Sequence, residues 1–494
     1  INSGGYVGPV SGLPGKIKAA SENGIKTVLI PSGTRNATPH NSSPHNNTNQ
    51  TIDLIELGKS LNITVKEVID IEDVLFEFTG RKNPYIDQNI VLDNQYTKTM
   101  KFLADKLCNR TTSIQKRFLN TDPKIEIDNS ILEEEKRILN LTIRADEAME
   151  GENYYSAASF CFGANYQYRK LILQLENLTS LEINEKALQL NFTLEDIERE
   201  VESKKLSTIT DLQTYLIVKE RLVEAENDID EIIEKNGSVS PSSLAYAVER
   251  IYSALSWSYF FDTGNKKVLL DNEILKQSCE KKLQEADQRL QYVYTYIPTG
   301  IQNVQRDIDN AKRDLENQDY ALCLFKASKA KSGADVVLNN LGVRSHQLQK
   351  IIKNKLSLVE KSIVREQNKG IFPILGYSYY EYANSLSEHD PYSSLIYIEY
   401  ASELSNFDMY FRNRRDSPSK SYQSIISITQ SELDKALRNK SLRKFADGFV
   451  LFTAGIAIGL LTASAIILIR QKKPIKKSKK SINHKKRVKT RKRQ

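Results

Sequence analysis

Cysteine, methionine, tryptophan and proline are all scarce in this chain of 494 residues, with four, three, one and thirteen copies. The four cysteines, Cys108, Cys161, Cys279 and Cys323, stand far apart. There is no Cys-X-X-Cys and no metal-ligand spacing, so neither a metal nor any other cofactor is expected. Two readings stay open for the thiols. They form disulfides outside the cell, with a pairing that spacing does not decide, or they are buried free thiols in helices. No intact phosphate loop occurs anywhere, which leaves the chain without a nucleotide-driven motor of that type. Methionine is absent from position 1, and the chain opens inside a strand-turn pattern. The expectation is a fragment or processed form whose upstream signal or anchor lies outside this sequence. The length exceeds one compact core, so two or more domains are expected.

Charge is missing from two stretches in complementary ways. Residues 470–494 carry 14 Lys or Arg and no acid; removing those from the net +8 leaves −6 for residues 1–469. The chain is therefore a mildly acidic body with a basic tail. Gly448 to Ile469, "GFVLFTAGIAIGLLTASAIILI", contains no charge at all. A helix of that length covers about 33 Å, enough for a hydrocarbon core of roughly 30 Å. A membrane helix over 446–470 is expected, with residues 1–445 extracytoplasmic and the tail, 471–494, cytoplasmic, by the preference of positive charge for the inside. The tail's expected partner is anionic lipid rather than nucleic acid. Asn-X-Ser/Thr acceptors at Asn36, Asn41, Asn46, Asn49, Asn62, Asn109, Asn140, Asn177, Asn191, Asn236 and Asn439 all precede the span, in keeping with that orientation.

Residues 1–80 read as mixed α/β. "YVGPV" is a short strand leading into a turn, and Pro14 suits the first turn of a helix running through "KIKAASENG". Gly24 suits a left-handed stop. "KTVLIP" is a β-branched run typical of a buried strand, and "SGTRNATPHNSSPHNNTNQT" is a polar loop. "IDLIELGKSLN" is an amphipathic helix, "ITVKEVID" a strand, and "IEDVLFEFTG" a short helix ending at Gly80.

From about residue 95 the pattern changes. Long heptad-like segments follow, such as "IDNSILEEEKRILNLTIRADEAMEG", "LEDIEREVESKKLSTITDLQTYLIVKERLVEAENDIDEII" and "NVQRDIDNAKRDLENQDYALCLFKASKAKSGADVVLNNL". Apolar residues recur at three and four with charges between and almost no proline, which predicts packed helices across 81–445. Four segments starting at Asn153, Ser242, Asp319 and Pro391 resemble one another, each with Tyr or Leu and small residues at helical spacing. They suggest helical hairpins in close contact. Their uneven spacing points to an irregular bundle rather than a regular array, and their tyrosines to core or groove rather than a cofactor box.

The chemically suggestive residue is Lys16, in Gly12-Leu13-Pro14-Gly15-Lys16. A phosphate loop would need glycine at position 10 and Ser or Thr after the lysine; Val10 and Ile17 stand there, so no magnesium-binding hydroxyl is present. Gly5-Tyr6-Val7-Gly8-Pro9-Val10-Ser11-Gly12-Leu13-Pro14-Gly15-Lys16, then Ala19-Ala20 and Gly24-Ile25-Lys26-Thr27-Val28-Leu29-Ile30-Pro31, instead resembles an element of the Lon family of serine endopeptidases. The likeness covers about residues 1–80, with "NITVKEVIDIEDVLFEF" similar to the closing strand and helix of that proteolytic domain.

The resemblance implies that Lys16 is the lysine of a Ser–Lys dyad. A serine hydroxyl needs a neighbouring base, and a lysine serves only if its pKa falls from about 10.4 towards neutrality. Burial and a position in the first turn of a helix would both disfavour its ammonium form. Without the resemblance, Lys16 would read as an ordinary surface lysine at a helix start. Ser11 departs from the family's glycine, and Pro14-Gly15 from its more usual charged pair. The family's nucleophile, in a Gly-Pro-Ser-Ala-Gly setting, has no counterpart in this chain. The sequence as it stands is expected to be inactive by itself.

The implied fold is α+β: a partial Lon-type α/β proteolytic domain over 1–80, a large all-α region over 81–445, and one C-terminal transmembrane helix. The family's ATPase module is absent, as in the membrane-anchored Lon-like proteases predicted in archaea. An outward-facing protease would have no ATP to use. The implied partners are protein or peptide substrates, and Lon-type domains commonly form homo-oligomeric rings. The alternative is a non-catalytic membrane-anchored scaffold or adhesin that retains a relic protease domain.

Overall fold

The computed structural model describes residues 4–410, apart from 9, 11, 38–50, 82–87, 126–128, 265–266, 268–269, 298–300 and 341–344. The expected span at 446–470, the basic tail and the acceptors at Asn41, Asn46, Asn49 and Asn439 lie outside the described residues. Among the described residues, no helix is long and apolar enough to cross a membrane.

The first elements build a small α/β module. Gly12 adopts φ 71°, a left-handed conformation that costs glycine little, and turns the chain into α1, Leu13–Glu22. Leu13 and Ile17, one helical turn apart, are its buried face. Asn23 closes it and Gly24, at φ 74°, releases the chain into β1, Thr27–Pro31. A short antiparallel pair follows, β2 (Asn36–Ala37) and β3 (Ile52–Asp53). Asp53 then caps α2, Leu54–Ser60, accepting from the Ile55 and Glu56 amides. β4, Thr64–Val68, lies parallel to β1 with Val28 opposite Val65. Asp70 caps α3, Ile71–Thr79, which ends at left-handed Gly80. Leu13, Ile17, Ile30, Leu54, Ile63 and Val65 form one small core between the strand pair and the helices.

The expected first strand is reduced to a single antiparallel bridge between Tyr6 and Asp70. Pro9 has no N–H to extend such a ladder, and Val10 is 49 % exposed. The apolar side of α3 is largely uncovered, with Leu75 51 % and Phe78 72 % exposed.

The rest of the described residues are mainly helical, as the periodicity predicts. Among the described residues twelve long helices follow: α4 (Asn94–Leu119), α5 (Asn129–Glu150), α6 (Tyr154–Glu176), α7 (Ser180–Glu202), α8 (Ile209–Glu234), α9 (Pro241–Trp257), α10 (Asn272–Tyr294), α11 (Gln302–Glu316), α12 (Tyr320–Asn340), α13 (Ser345–Gln367), α14 (Ile374–Leu386) and α15 (Pro391–Leu404). Two heptad-like runs that read as continuous are hairpins. Thr208 breaks one, forming a capping box with Asp211 at the start of α8. Gln318, at φ 64°, breaks the other between α11 and α12.

By packing, the twelve helices fall into four consecutive triplets, α4–α6, α7–α9, α10–α12 and α13–α15. The four similar segments are the third helix of each triplet. Those helices also meet across triplets, α6 on α9 and α12 on α15, which is why they carry so many small residues. Ala157, Ala164, Ala245, Ala254, Ala327, Ala334 and Ala401 of these helices are fully buried. Disulfides staple the first and third triplets: Cys108 in α4 joins Cys161 in α6, and Cys279 in α10 joins Cys323 in α12, with Cα–Cα distances of 5.1 and 5.7 Å. No free cysteine remains.

Three acceptor asparagines also have a role in the backbone. Asn62, Asn177 and Asn236 take φ 57°, 45° and 47° just beyond the ends of α2, α6 and α8. Asparagine is the side chain that best tolerates this left-handed corner. All three are exposed, as are Asn36, Asn109 and Asn140.

Candidate functional site

Lys16 sits in the first turn of α1, and its N–H donates the first full-turn bond of that helix, to the Gly12 carbonyl at 3.1 Å. Gly15 and Lys16 thus belong to the helix itself, and their amides do not form the open nest that would cradle a phosphate. Because Leu13 and Ile17 turn toward the strand pair, Lys16 falls to the side and is exposed. The burial expected for a lysine base is not supplied by the described residues. Among those residues, no carboxylate pairs with it. Ser11, the nearest serine before it in sequence, lies outside the described residues.

The module that carries Lys16 is braced on the helical body. Lys361 of α13 reaches Asp70 at 3.3 Å, and Arg365 reaches Glu72 at 2.8 Å. Asp70 therefore does two things at once: it caps α3 through the Asp73 amide at 2.8 Å and anchors that helix to α13. The anchor escapes any local reading of the sequence, because the partners are 291 residues apart.

The tyrosine-rich faces are interior. Tyr155, Tyr379, Tyr382, Tyr397 and Tyr400 meet mostly edge to face, Tyr382 and Tyr397 at 4.7 Å between ring centres. Among them lies Glu381, whose carboxylate accepts from the Ser156 amide at 2.9 Å. Burial pushes its carboxyl up to about 7, and the bonds from Ser156 only partly oppose this. An ordinary carboxyl in the unfolded chain titrates near 4.3, so the folded state holds the extra proton between those values. Stability contributed by the neutral form is complete below about pH 4 and is lost as pH rises through 7, by about 4 kcal/mol. Glu381→Gln should flatten that fall, so that denaturant midpoints at pH 5 and pH 8 differ less in the variant than in the wild type. Equal slopes in both would refute the assignment.

Among the described residues, no cluster of His, Cys, Asp and Glu side chains could hold a metal ion. Set against models of known families, curated proteins and solved structures, the chain matches none.

Proposed function

We propose that the protein is a membrane-anchored, Lon-like serine endopeptidase in which Lys16 is the general base. The observation that carries this reading is the Gly5–Pro31 element, with a left-handed Gly12 turn, a helix that opens with Lys16 in its first turn, and a strand pair behind it. In this chemistry a serine Oγ attacks the peptide carbonyl carbon while Lys16 Nζ takes its proton. The same nitrogen then gives the proton to the leaving amine, and water repeats the sequence on the acyl-enzyme. No cofactor is needed. Protein or peptide substrates would be met outside the cytoplasm, with the basic tail on anionic lipid at the inner face. The two disulfides and the exposed acceptor asparagines support that side.

One observation favours the scaffold reading instead: Lys16 is exposed. The experiment that separates the two uses protein expressed from the complete coding sequence. Peptide hydrolysis and labelling by a serine-directed fluorophosphonate should both be present in the wild type. Lys16→Ala should lower hydrolysis by at least about a thousandfold, the scale of losing an essential base, with an unchanged circular dichroism spectrum. Retained hydrolysis in Lys16→Ala overturns Lys16 as the general base, and no hydrolysis in the wild type favours the scaffold.

A further inference from the structure

We infer that the helical body serves the Lys16 site directly, by holding the segment that leads into its turn; this rests on the reading of Lys16 given above. Tyr6 is only 2 % exposed although it lies at the edge of the small module. Its ring packs under Lys355 of α13, with Nζ 4.5 Å from the ring centre. Burial, and next the negative charge of Glu399, push the Tyr6 phenol well above its ordinary range. Glu399 of α15 pairs with Lys355, and both side chains are almost wholly buried. Glu399 also accepts from Asn339 Nδ2 of α12 at 3.1 Å. Three helices from two triplets thus converge on one small platform.

Gly8 rests on that platform. A Cβ added there would lie 2.3 Å from Asn339 Oδ1, too close for any real contact. Because Glu399 holds the Asn339 carboxamide, it cannot swing aside freely. Gly8 is not in the left-handed region, so its lack of a side chain answers to the close approach of Asn339 and not to backbone strain. On the opposite side, the Val7 amide donates to the Ile69 carbonyl at 3.0 Å, and the Ile71 amide donates to the Gly5 carbonyl at 2.9 Å. Tyr6, Val7 and Gly8 are therefore clamped between the β4–α3 junction and the helical body. Gly8 stands four positions before Gly12, where the turn into α1 begins. A fixed Gly8 limits the drift of that turn, and catalytic groups displaced by about 1 Å can lose two orders of magnitude in rate. Asn339 and Lys355 are positioning residues in this scheme and have no contact with the reacting atoms.

Hydrogen exchange of the full chain, read by peptide, tests the clamp independently of activity. Gly8→Ala should speed exchange over residues 5–16 by about tenfold or more and leave α6 and α9 unchanged. Gly8→Ala with Asn339→Ala should recover most of the protection, because the obstacle is gone. Lys355→Met provides a second route to the same loosening. In the hydrolysis assay, Gly8→Ala should lower kcat by about tenfold with KM unchanged, the mark of lost positioning. Unchanged exchange over residues 5–16, or a rise shared equally by α6 and α9, overturns the inference. So does a loosened segment with full kcat, which would leave the clamp purely structural. A wild-type protein that hydrolyses nothing would sink the protease reading, and the exchange data would still decide whether the clamp exists.

Discussion

Glu403→Ala should destabilise the helical body by about 3–5 kcal/mol, the usual cost of removing one member of a buried ion network. Glu403 lies in α15 and is 3 % exposed, with Lys282 Nζ 2.6 Å from one carboxylate oxygen and Lys331 Nζ 3.2 Å from the other. Burial alone would lower the Lys282 ammonium. The charge of Glu403, with help from Tyr410 and Glu285, more than reverses this and holds it above the ordinary lysine range. Without the carboxylate, two buried ammonium groups face each other, with Asp335 beside Lys331 and the half-exposed Glu285 beside Lys282. Because the network joins α10, α12 and α15, the loss should fall on the contact between the third and fourth triplets. Urea unfolding followed by far-ultraviolet circular dichroism measures it. A loss under about 1 kcal/mol would mean that the site is hydrated and the network weak, as exposed pairs are.

Removing the Cys108–Cys161 bridge should cost about 4 kcal/mol on the chain-entropy scale for a loop of that length. The two cysteines are 53 residues apart, and their bridge ties the first helix of a triplet to the third. α5 lies within the closed loop, so the unfolded chain regains much freedom when the bond is absent. Cys108→Ala with Cys161→Ala should lower the urea midpoint, and wild-type protein in reductant, which also loses the Cys279–Cys323 bridge, should fall further. Thiol titration of the native, unreduced chain should find no reactive sulfur before or after denaturation. Free thiols at full stability would overturn the pairing and remove one support for an extracytoplasmic location.

Much of the architecture can be read from local pattern. The order α1, β1, α2, β4, α3 in residues 12–80 follows from Pro14, the β-branched run before Pro31, and glycines at 24 and 80 that stop their helices, whereas the short β2–β3 pair falls in stretches that read as loop and helix start. The helical character beyond residue 94 follows from the three-four recurrence of apolar side chains. Other features resist such reading for identifiable reasons. Capping at Thr208 overrides a continuous heptad pattern, since one satisfied helix start outweighs a few propensities. The "YVGPV" strand shrinks to one bridge because its glycine and proline suit close approach and termination rather than a ladder. The similar segments are legible as kin, but their kinship as the third helix of each triplet depends on what they touch.

The candidate site divides in the same way. The sequence by itself determines that Lys16 opens a helix behind a glycine turn, because that outcome depends on neighbours within one helical turn. It also determines the helix periodicity and the positions of the acceptor asparagines. Only the tertiary structure decides that Lys16 is exposed, that Cys108 meets Cys161, and that Gly8 must remain small to accommodate Asn339. These facts join residues tens to hundreds of positions apart. Their energies arise from burial and from charges removed from water, which no local stretch of chain contains.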